Sequence, residues 1–252
     1  MENKITTGVF DSGVGGLSVL KKIMLNGGNY IYFGDTKNLP YGNKTKEEII
    51  FFTRNIINFF IEKNATQVVM ACNTSSALAY EVLQKEFKDK IKIFPLIQTA
   101  APKIATSGKK IGIMATEATY KSRAYTKELL KYNRNLEILE IPCPKFVPIV
   151  ENKLYDKKES IDNIKKTVRE FVNFKADRVI LGCTHYPYLL PIMTKYAPRE
   201  LFTDPADYMA EKIQKSNTPL NIEFYVSDNP DKFVDNAKIF MDIKSVHKID
   251  LQ

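Results

Sequence analysis

Two cysteines occupy matching positions in the chain, each directly after a short apolar run. Residues 68–71 precede Cys72, and residues 179–182 precede Cys183. A thiolate removes a proton from carbon and a thiol returns one, so a pair of cysteines is suited to acid–base chemistry. Because ligands bind at the carboxyl ends of parallel strands, we expect the two thiols to face each other across one cleft.

Polar side chains accompany both cysteines. Asn73 and Thr74 follow the first cysteine, and Thr184 and His185 follow the second. Cysteine and histidine also bind zinc, but the second cysteine and His185 supply only two ligands, and no CxxC or HxxxH pair supplies the others. We therefore predict no metal site. Cys143, between two prolines, lacks such polar neighbours, and we interpret it as a buried structural residue.

A glycine-rich turn, residues 11–16, follows the first apolar run and precedes a helix. Such a turn presents backbone N–H groups to an anion. Its glycines lack the GxGxxG spacing of a dinucleotide site, and the lysine of a P-loop is missing, so a small carboxylate is the favoured ligand. Asp11 begins this turn, where its carboxylate is placed to orient a neighbouring thiol or accept its proton.

Apolar, β-branched runs alternate with helical patterns along the chain, and continuous apolar runs predict strands buried on both faces of a parallel sheet. Thr45 and Glu48 form a predicted capping box at the start of one helix. The predicted strands are residues 8–10, 30–33, 68–71, 91–97, 111–114, 136–141, 179–181 and 222–226. The further predicted helices are residues 75–87, 120–132, 160–174 and 230–241.

Each cysteine strand is preceded by an opening strand and loop, so the chain reads as two related halves. This repetition predicts an α/β fold of two pseudo-symmetric, doubly wound parallel-sheet domains that face each other across a cleft. We predict that residues 1–97 plus 208–252 form the first domain, which the C-terminal tail completes. Residues 98–207 form the second predicted domain.

The composition of the 252 residues is 44% hydrophobic and 26% charged, which excludes intrinsic disorder. The apolar runs are far shorter than the roughly 20 residues of a membrane-spanning helix. Three cysteines cannot build a disulfide framework and the N-terminus lacks a signal-peptide layout, so we predict a cytoplasmic location. The net charge of +8 comes from lysines interleaved with acidic residues, so nucleic-acid binding is not predicted as a main function.

Motifs occur in order along nearly the whole chain, and jointly they are specific. They are residues 8–17 (GVFDSGVGGL), 33–36 (FGDT), 39–42 (LPYG), 71–74 (ACNT), 115–119 (ATEAT), 146–151 (FVPIVE), 181–187 (LGCTHYP) and 227–230 (SDNP) with Phe233. These motifs resemble the glutamate racemase family of the aspartate/glutamate racemase superfamily. The resemblance implies a cofactor-independent enzyme that interconverts L-glutamate and D-glutamate for peptidoglycan synthesis.

The resemblance also assigns roles in a two-base reaction. It implies that Cys72 and Cys183 act on opposite faces of the α-carbon, one as thiolate and the other as thiol. Asp11 attends Cys72, and His185 attends Cys183, with Glu151 assisting. In this assignment Cys72 deprotonates D-glutamate and Cys183 deprotonates L-glutamate.

Most residues that the resemblance assigns to the substrate carry neutral donors, which cost less to bury beside two carboxylates than extra lysines would. They are Asp11, Ser12, Pro40, Tyr41, Gly42, Asn73, Thr74, Thr116, Thr119, Thr184 and His185. For Thr116 and Thr119, ordinary helix N-capping is the alternative interpretation.

Two features depart from the family pattern. Gln98 stands where the family has a glutamate, which puts the contacts between the two halves in doubt rather than the chemistry. Only four residues precede Ile5, so we expect no activation by a cell-wall precursor.

The nearest alternative activity is that of an aspartate racemase of the same superfamily. Residues 40–42 and His185 favour glutamate as the substrate. A homodimer is the expected assembly. Binding to DNA gyrase is a further, non-enzymatic alternative, to which the net charge of +8 would contribute.

Overall fold

A computed structural model describes residues 5–213, 216 and 218–251. The strands are β1 (Thr6–Asp11), β2 (Asn29–Gly34), β3 (Gln67–Met70), β4 (Lys92–Pro95), β5 (Lys110–Ala115), β6 (Glu137–Pro142), β7 (Arg178–Gly182), β8 (Phe202–Thr203), β9 (Asn221–Val226) and β10 (His247–Lys248). The α-helices are α1 (Leu17–Ile23), α2 (Lys46–Glu62), α3 (Asn73–Leu78), α4 (Tyr80–Phe87), α5 (Leu96–Ile104), α6 (Glu117–Ser122), α7 (Ala124–Tyr132), α8 (Phe146–Glu151), α9 (Lys158–Asn173), α10 (Leu190–Met193), α11 (Ala206–Lys212) and α12 (Pro230–Ala237).

The strands form two parallel sheets. The first sheet has six strands in the order β10-β9-β2-β1-β3-β4, and the second has four in the order β6-β5-β7-β8. All pairs are parallel, and the central strands β1, β2, β3, β5 and β7 are nearly continuous runs of buried side chains. Because these strands are buried on both faces, their sequences are continuous apolar runs, which is the pattern that predicts parallel strands. The predicted α/β class with two facing sheets is confirmed.

The C-terminal tail returns to the first sheet. Strand β9 pairs with β2 from Asn221 to Val226, and β10 pairs with β9 in turn. Helix α12 places Phe233 and Ala237 in the core that packs on one face of this sheet. The predicted domain boundaries at residues 97 and 208 stay a prediction.

Two predicted helices are interrupted. The predicted helix over residues 75–87 is two helices, α3 and α4, that meet at Ala79. The predicted helix over residues 120–132 is also two helices, α6 and α7, because Arg123 between them adopts a left-handed conformation with φ 56°. The predicted helix over residues 230–241 ends at Ala237. Periodicity in the sequence continues across each break, so it does not reveal the change of direction.

One apolar run is part strand and part helix. The predicted strand over residues 91–97 is β4 only as far as Pro95, and Leu96 begins α5. Helix α5 buries Ile97, Ala100 and Ile104, and it packs against helices of both halves, α3 and α7. An apolar run cannot distinguish a buried strand from a buried helix, which explains the error.

Gln98 lies on α5, and its Oε1 atom is buried without a hydrogen-bond partner among the described residues.

The predicted capping box is confirmed, since the Thr45 hydroxyl accepts from Glu48 N at 3.2 Å and the Glu48 carboxylate accepts from Thr45 N at 2.7 Å. Within the described residues, no helix combines the length and the apolar character needed to cross a bilayer. The expectation drawn from residues 1–4 lies outside the described residues.

Candidate active site

Both cysteines lie where a central strand ends. Cys72 follows β3 and serves as the N-cap residue of α3, while Cys183 directly follows β7. The two side chains line the same cleft of about 610 Å³, measured out to its open mouth. Their exposed fractions are only 5% and 7%, respectively. Cys72 therefore reaches the cleft from the first sheet and Cys183 from the second.

Most of the predicted site residues line this cleft. They are Ser12, Pro40, Tyr41, Gly42, Cys72, Asn73, Thr74, Thr116, Cys183, Thr184 and His185. Three others lie behind the wall. Asp11 and Thr119 are fully buried beneath it, and Glu151 stands on the far side of the His185 ring.

The Cys183 thiol has an imidazole neighbour. His185 Nδ1 lies 3.7 Å from Cys183 Sγ, and His185 Nε2 lies 2.7 Å from Glu151 Oε1. Burial alone lowers the pKa of His185, but its hydrogen bonds to Cys183 and Glu151 outweigh burial and raise that pKa well above the usual value. At neutral pH the ring is an imidazolium, the kind of neighbour that stabilises a thiolate.

Glu151 supplies the negative partner of this imidazolium. Burial alone raises the pKa of the Glu151 carboxyl, but the hydrogen bond and charge of His185 outweigh burial and lower that pKa. The second carboxylate oxygen, Oε2, accepts from Asn236 Nδ2 at 3.0 Å. A carboxylate, an imidazolium and a thiol thus form one connected row.

The Cys72 thiol has the opposite environment. Burial, with a further contribution from the negative charge of Asp11, raises the pKa of Cys72 to about 12. At neutral pH Cys72 is therefore a thiol. The two cysteines differ in their surroundings, although their sequence contexts are alike.

This difference predicts how stability depends on pH. The folded state keeps the Cys72 proton up to about pH 12, whereas an unfolded thiol loses it near its ordinary pKa of 9.0. The free energy of unfolding therefore falls between these limits, with a contribution from Cys72 of about 1.4 kcal/mol per pH unit. Urea unfolding of the wild type and of Cys72→Ser between pH 8 and pH 10.5 measures it, and we expect a shallower slope for the variant. Equal slopes would refute the raised pKa.

Asp11 is held by the glycine-rich turn rather than exposed to a ligand. Its carboxylate accepts from Gly13 N at 3.1 Å and from the Thr184 hydroxyl at 3.0 Å. A Cβ atom on Gly16 would lie 2.4 Å from Asp11 Cβ, and one on Gly15 would lie 2.4 Å from Thr184 Oγ1. Glycines are therefore needed at positions 15 and 16, because the turn passes close to Thr184 and Asp11. The turn was predicted to bind an anion through its N–H groups, but the Gly13 N–H group already donates to a carboxylate of the chain itself.

Three threonine hydroxyls join the two halves beside Cys72. The hydroxyl oxygens of Thr74 and Thr116 are 3.0 Å apart, and those of Thr116 and Thr119 are also 3.0 Å apart. Thr116 in addition caps α6 by accepting from Thr119 N at 3.4 Å. The sequence left helix capping and substrate binding as alternatives for Thr116. In the structure Thr116 both caps α6 and lines the cleft.

Tyr41 forms a rigid part of the cleft wall. Its hydroxyl donates to the buried carboxylate of Asp35, which also accepts from the Ser227 hydroxyl at 2.7 Å. Gly42 lets the chain pass close to the second half, since a Cβ atom there would lie 3.2 Å from Thr116 Cβ. Asp35 was not among the predicted site residues, although it follows the carboxyl end of β2.

Asn73 presents an unused donor. Its Oδ1 accepts from the Tyr125 hydroxyl at 2.6 Å, while its buried Nδ2 has no hydrogen-bond partner among the described residues. A buried amide N–H group without a partner is costly, so a ligand acceptor in the cleft would complete it. Tyr125 fixes which end of the amide is available.

This contact predicts the effect of Tyr125→Phe on substrate binding. Loss of the hydroxyl leaves the Asn73 amide free to turn, and we expect KM for the substrate to rise about three- to tenfold while kcat changes less. Tyr132→Phe, on the same helix but half exposed, is the matched control and should leave both constants unchanged. Unaltered KM in Tyr125→Phe would show that the amide is held by other means.

Several cleft residues were missed from the sequence. Cys143, interpreted as purely structural, is buried but lines the same cleft, with its Sγ 3.5 Å from Ile141 O. It follows β6, so the rule that located the other cysteines also applies to it. The other lining residues are Leu39, Asn43, Glu117, Pro144, Val147 and Pro148. Among residues 5–213, 216 and 218–251, no three His, Cys, Asp or Glu side chains are grouped as metal ligands would be.

Comparisons with known proteins identify the family of the chain. The family described as Asp/Glu/Hydantoin racemase matches residues 22–213. A protein named glutamate racemase from Thermoanaerobacter pseudethanolicus is 36% identical over 261 aligned positions, which cover 97% of this chain and 97% of the relative. Another so named, from Trichodesmium erythraeum, is 37% identical over 241 positions, covering 90% and 88% of the two chains.

Solved structures give the same result. The crystal structure of glutamate racemase from Francisella tularensis in complex with D-glutamate has a TM-score of 0.89, with 30% identity and 98% of each chain covered. Isoform RacE1 from Bacillus anthracis has a TM-score of 0.90, with 28% identity and 99% of each chain covered. The resemblance noted in the sequence is confirmed. The chain belongs to the Asp/Glu/Hydantoin racemase family, and the relatives that match it over nearly its whole length are glutamate racemases.

Proposed function

We propose that this protein interconverts L-glutamate and D-glutamate, with Cys72 and Cys183 as the two proton-transfer groups. The single observation that carries the proposal is the meeting of the two thiols in one cleft, each at the end of a different sheet. Inversion at a carbon requires a base on one face and an acid on the other. Two thiols from two sheets provide such a pair.

The proton transfers balance without any other reactant. One cysteine, as thiolate, takes the α-proton, and the electron pair of the C–H bond stays on the substrate as a carbanion conjugated with its α-carboxylate. The other cysteine, as thiol, donates its proton to the opposite face and becomes a thiolate. Each turnover thus exchanges the protonation states of the pair, and proton exchange with water resets them. No cofactor is required in this scheme.

The raised pKa of Cys72 keeps a proton on that thiol at neutral pH, so Cys72 is ready to donate one. With the assignment that the family resemblance implies, the Cys72 thiol protonates the carbanion formed from L-glutamate.

The cleft offers neutral donors for the two carboxylates of glutamate. The Asn73 amide and the hydroxyls of Ser12 and Thr74 line it, so anions are bound without buried lysines. The structure of the Francisella tularensis relative, a complex with D-glutamate, supports glutamate as the ligand. We propose that Pro40, Tyr41, Gly42, Thr116 and Thr184 complete the substrate site.

Turnover without added cofactor tests the proposal. The protein is dialysed against a chelator and hydroxylamine, and the optical rotation or circular dichroism of L- and D-glutamate is followed, with L- and D-aspartate in parallel. We expect both glutamate enantiomers to approach the racemate and aspartate to react far more slowly. Turnover of aspartate alone would favour the alternative activity of the superfamily. Activity that returned only with pyridoxal phosphate or Zn²⁺ would refute cofactor independence.

We also propose a setting for the activity. D-glutamate made by this protein would supply peptidoglycan synthesis, and the three free cysteines suit the reducing cytoplasm.

A homodimer is the proposed assembly, which sedimentation equilibrium measures directly. Binding to DNA gyrase is a further alternative, to which the net charge of +8 would contribute. Inhibition of gyrase that persists in the Cys72→Ser variant would support it.

A further inference from the structure

The carboxylate of Glu151 is held from two sides by different parts of the chain. One oxygen lies 2.7 Å from His185 Nε2, within the second half, and the other accepts from Asn236 Nδ2 at 3.0 Å. Asn236 belongs to α12 of the C-terminal tail, which returns to the first sheet, and only 8% of it is exposed. The hydrogen bond to Asn236 therefore ties the tail to the acid–base row of the opposite half.

We propose that Asn236 is a positioning residue, which holds Glu151 in the orientation that pairs with His185 and so supports proton transfer at Cys183. This inference rests on the proposed function. It assigns to the C-terminal tail a role in the chemistry of a cysteine that lies in the other half. Asn236 itself touches neither the cleft nor the thiol.

The chemistry of an amide fits this task. An asparagine N–H group donates to a carboxylate without carrying a charge, so it fixes Glu151 and does not replace His185 as the cation. Glu151 is at the end of α8, where a single contact would leave its side chain free to rotate. Two contacts, one on each oxygen, define the carboxylate plane.

Asn236 is itself well fixed. Its neighbours on α12, Phe233 and Ala237, are buried in the core of the first sheet, and Phe233 packs against Tyr32 with ring centroids 5.9 Å apart. Asn229 caps the start of the helix by accepting from Lys232 N at 3.1 Å. The amide is consequently presented to Glu151 by a helix that cannot shift without disturbing the core.

A single-base reaction separates this role from a general weakening of the cleft. Elimination from a glutamate analogue with a leaving group on the β-carbon needs only the base: the α-proton goes to the thiolate, and the leaving group departs with its electron pair as the double bond forms. Cys183→Ser identifies, in the same assay, the enantiomer whose elimination requires Cys183. Positioning through Glu151 and His185 should affect that enantiomer alone.

We expect Asn236→Ala to slow the Cys183-dependent elimination by about tenfold to a hundredfold, the range for losing a hydrogen bond to a charged group. Elimination from the other enantiomer should change less than about twofold, and Asn236→Gln, which keeps the amide donor, should recover part of the loss. Asp235→Ala is the matched control, because it removes an exposed contact between the tail and the second half, the 2.9 Å pair with Lys153, and should leave both rates unchanged. Equal losses for both enantiomers, or no loss, would overturn the proposal.

A second measurement does not depend on activity. The chain has two histidines, His185, which is buried, and His247, which is exposed. Their ¹⁵N imidazole signals are therefore assigned with one variant, His185→Gln. We expect Asn236→Ala to lower the pH at which His185 loses its proton and to leave His247 unchanged, while Asp235→Ala moves neither. An unchanged His185 titration in Asn236→Ala would overturn the proposal.

The charged and titratable groups that face this row are Asp11, Tyr32, Tyr155, Cys183 and Lys232. Asn236→Ala, Asn236→Gln and Asp235→Ala leave all of these groups in place. The two measurements also separate this inference from the function on which it rests. A wild type that neither racemises glutamate nor eliminates from its analogues would refute the proposed function, whereas an active wild type with an unaffected Asn236→Ala would refute only the role of Asn236.

Discussion

Replacing either cysteine by serine is expected to abolish racemisation, yet each variant should still eliminate from one enantiomer of a β-substituted glutamate. A serine hydroxyl is too weak an acid to provide the needed base at neutral pH, and a positioned acid–base group contributes about 10²- to 10⁴-fold to the rate. Racemisation needs both cysteines, so each single variant loses it. Elimination needs only the base on one face.

The expected pattern is reciprocal. Cys72→Ser should keep elimination from the L-analogue and lose it from the D-analogue, and Cys183→Ser should do the reverse. Cys143→Ser is the matched control, because Cys143 lines the same cleft but has no imidazole or carboxylate partner in the scheme. Equal loss of both eliminations in both variants would contradict two thiols on opposite faces. Full racemisation by either variant would return that cysteine to a purely structural role.

Ending the chain after Ser216 should unfold the first sheet rather than release a separate module. The truncation removes β9, which pairs with β2, and it removes Phe233, Phe240 and Ile243 from the core. The lost burial is on the order of 10 kcal/mol, which is comparable to the whole stability of a domain. We expect the loss of a cooperative thermal transition by circular dichroism, together with all racemase activity.

A shorter truncation controls for this result. A chain that ends after Ile243 loses β10 but keeps β9, α12 and the core residues of the tail. It should retain a cooperative transition at a lower temperature. If the chain ending after Ser216 melted cooperatively and remained active, the assignment of residues 208–252 to the first domain would be wrong.

Local patterns predicted the parts of the fold that local physics determines. Strands buried on both faces are continuous apolar runs, and the capping box of Thr45 and Glu48 involves residues close in the sequence, so both could be predicted. The break in the helix at Arg123 could not be predicted, because a single residue in the left-handed conformation interrupts a helix without changing its apolar pattern. The start of α5 after Pro95 was missed for a related reason, since buried helices and buried strands share one composition.

The candidate site was likewise predictable only in part from the sequence. Cys72 and Cys183 follow strands, and the rule that parallel strands bring their carboxyl ends together placed them in one cleft. Other contacts of the site join residues that are far apart in the chain: Asn236 is 85 residues from Glu151, and Tyr125 is 52 residues from Asn73. No periodicity or motif encodes such pairs, because they depend on how the helices pack.

The most direct test of the two-thiol scheme is the fate of the α-proton at low conversion in deuterated water. Each pure glutamate enantiomer is incubated with the enzyme, and product and remaining substrate are separated and analysed by mass spectrometry. Because one cysteine takes the substrate proton and the other donates a deuteron from solvent, we expect the product to carry α-deuterium and the remaining substrate to retain its proton. Remaining substrate that gained deuterium as fast as product formed, or product that kept the original proton, would contradict two separate bases at Cys72 and Cys183.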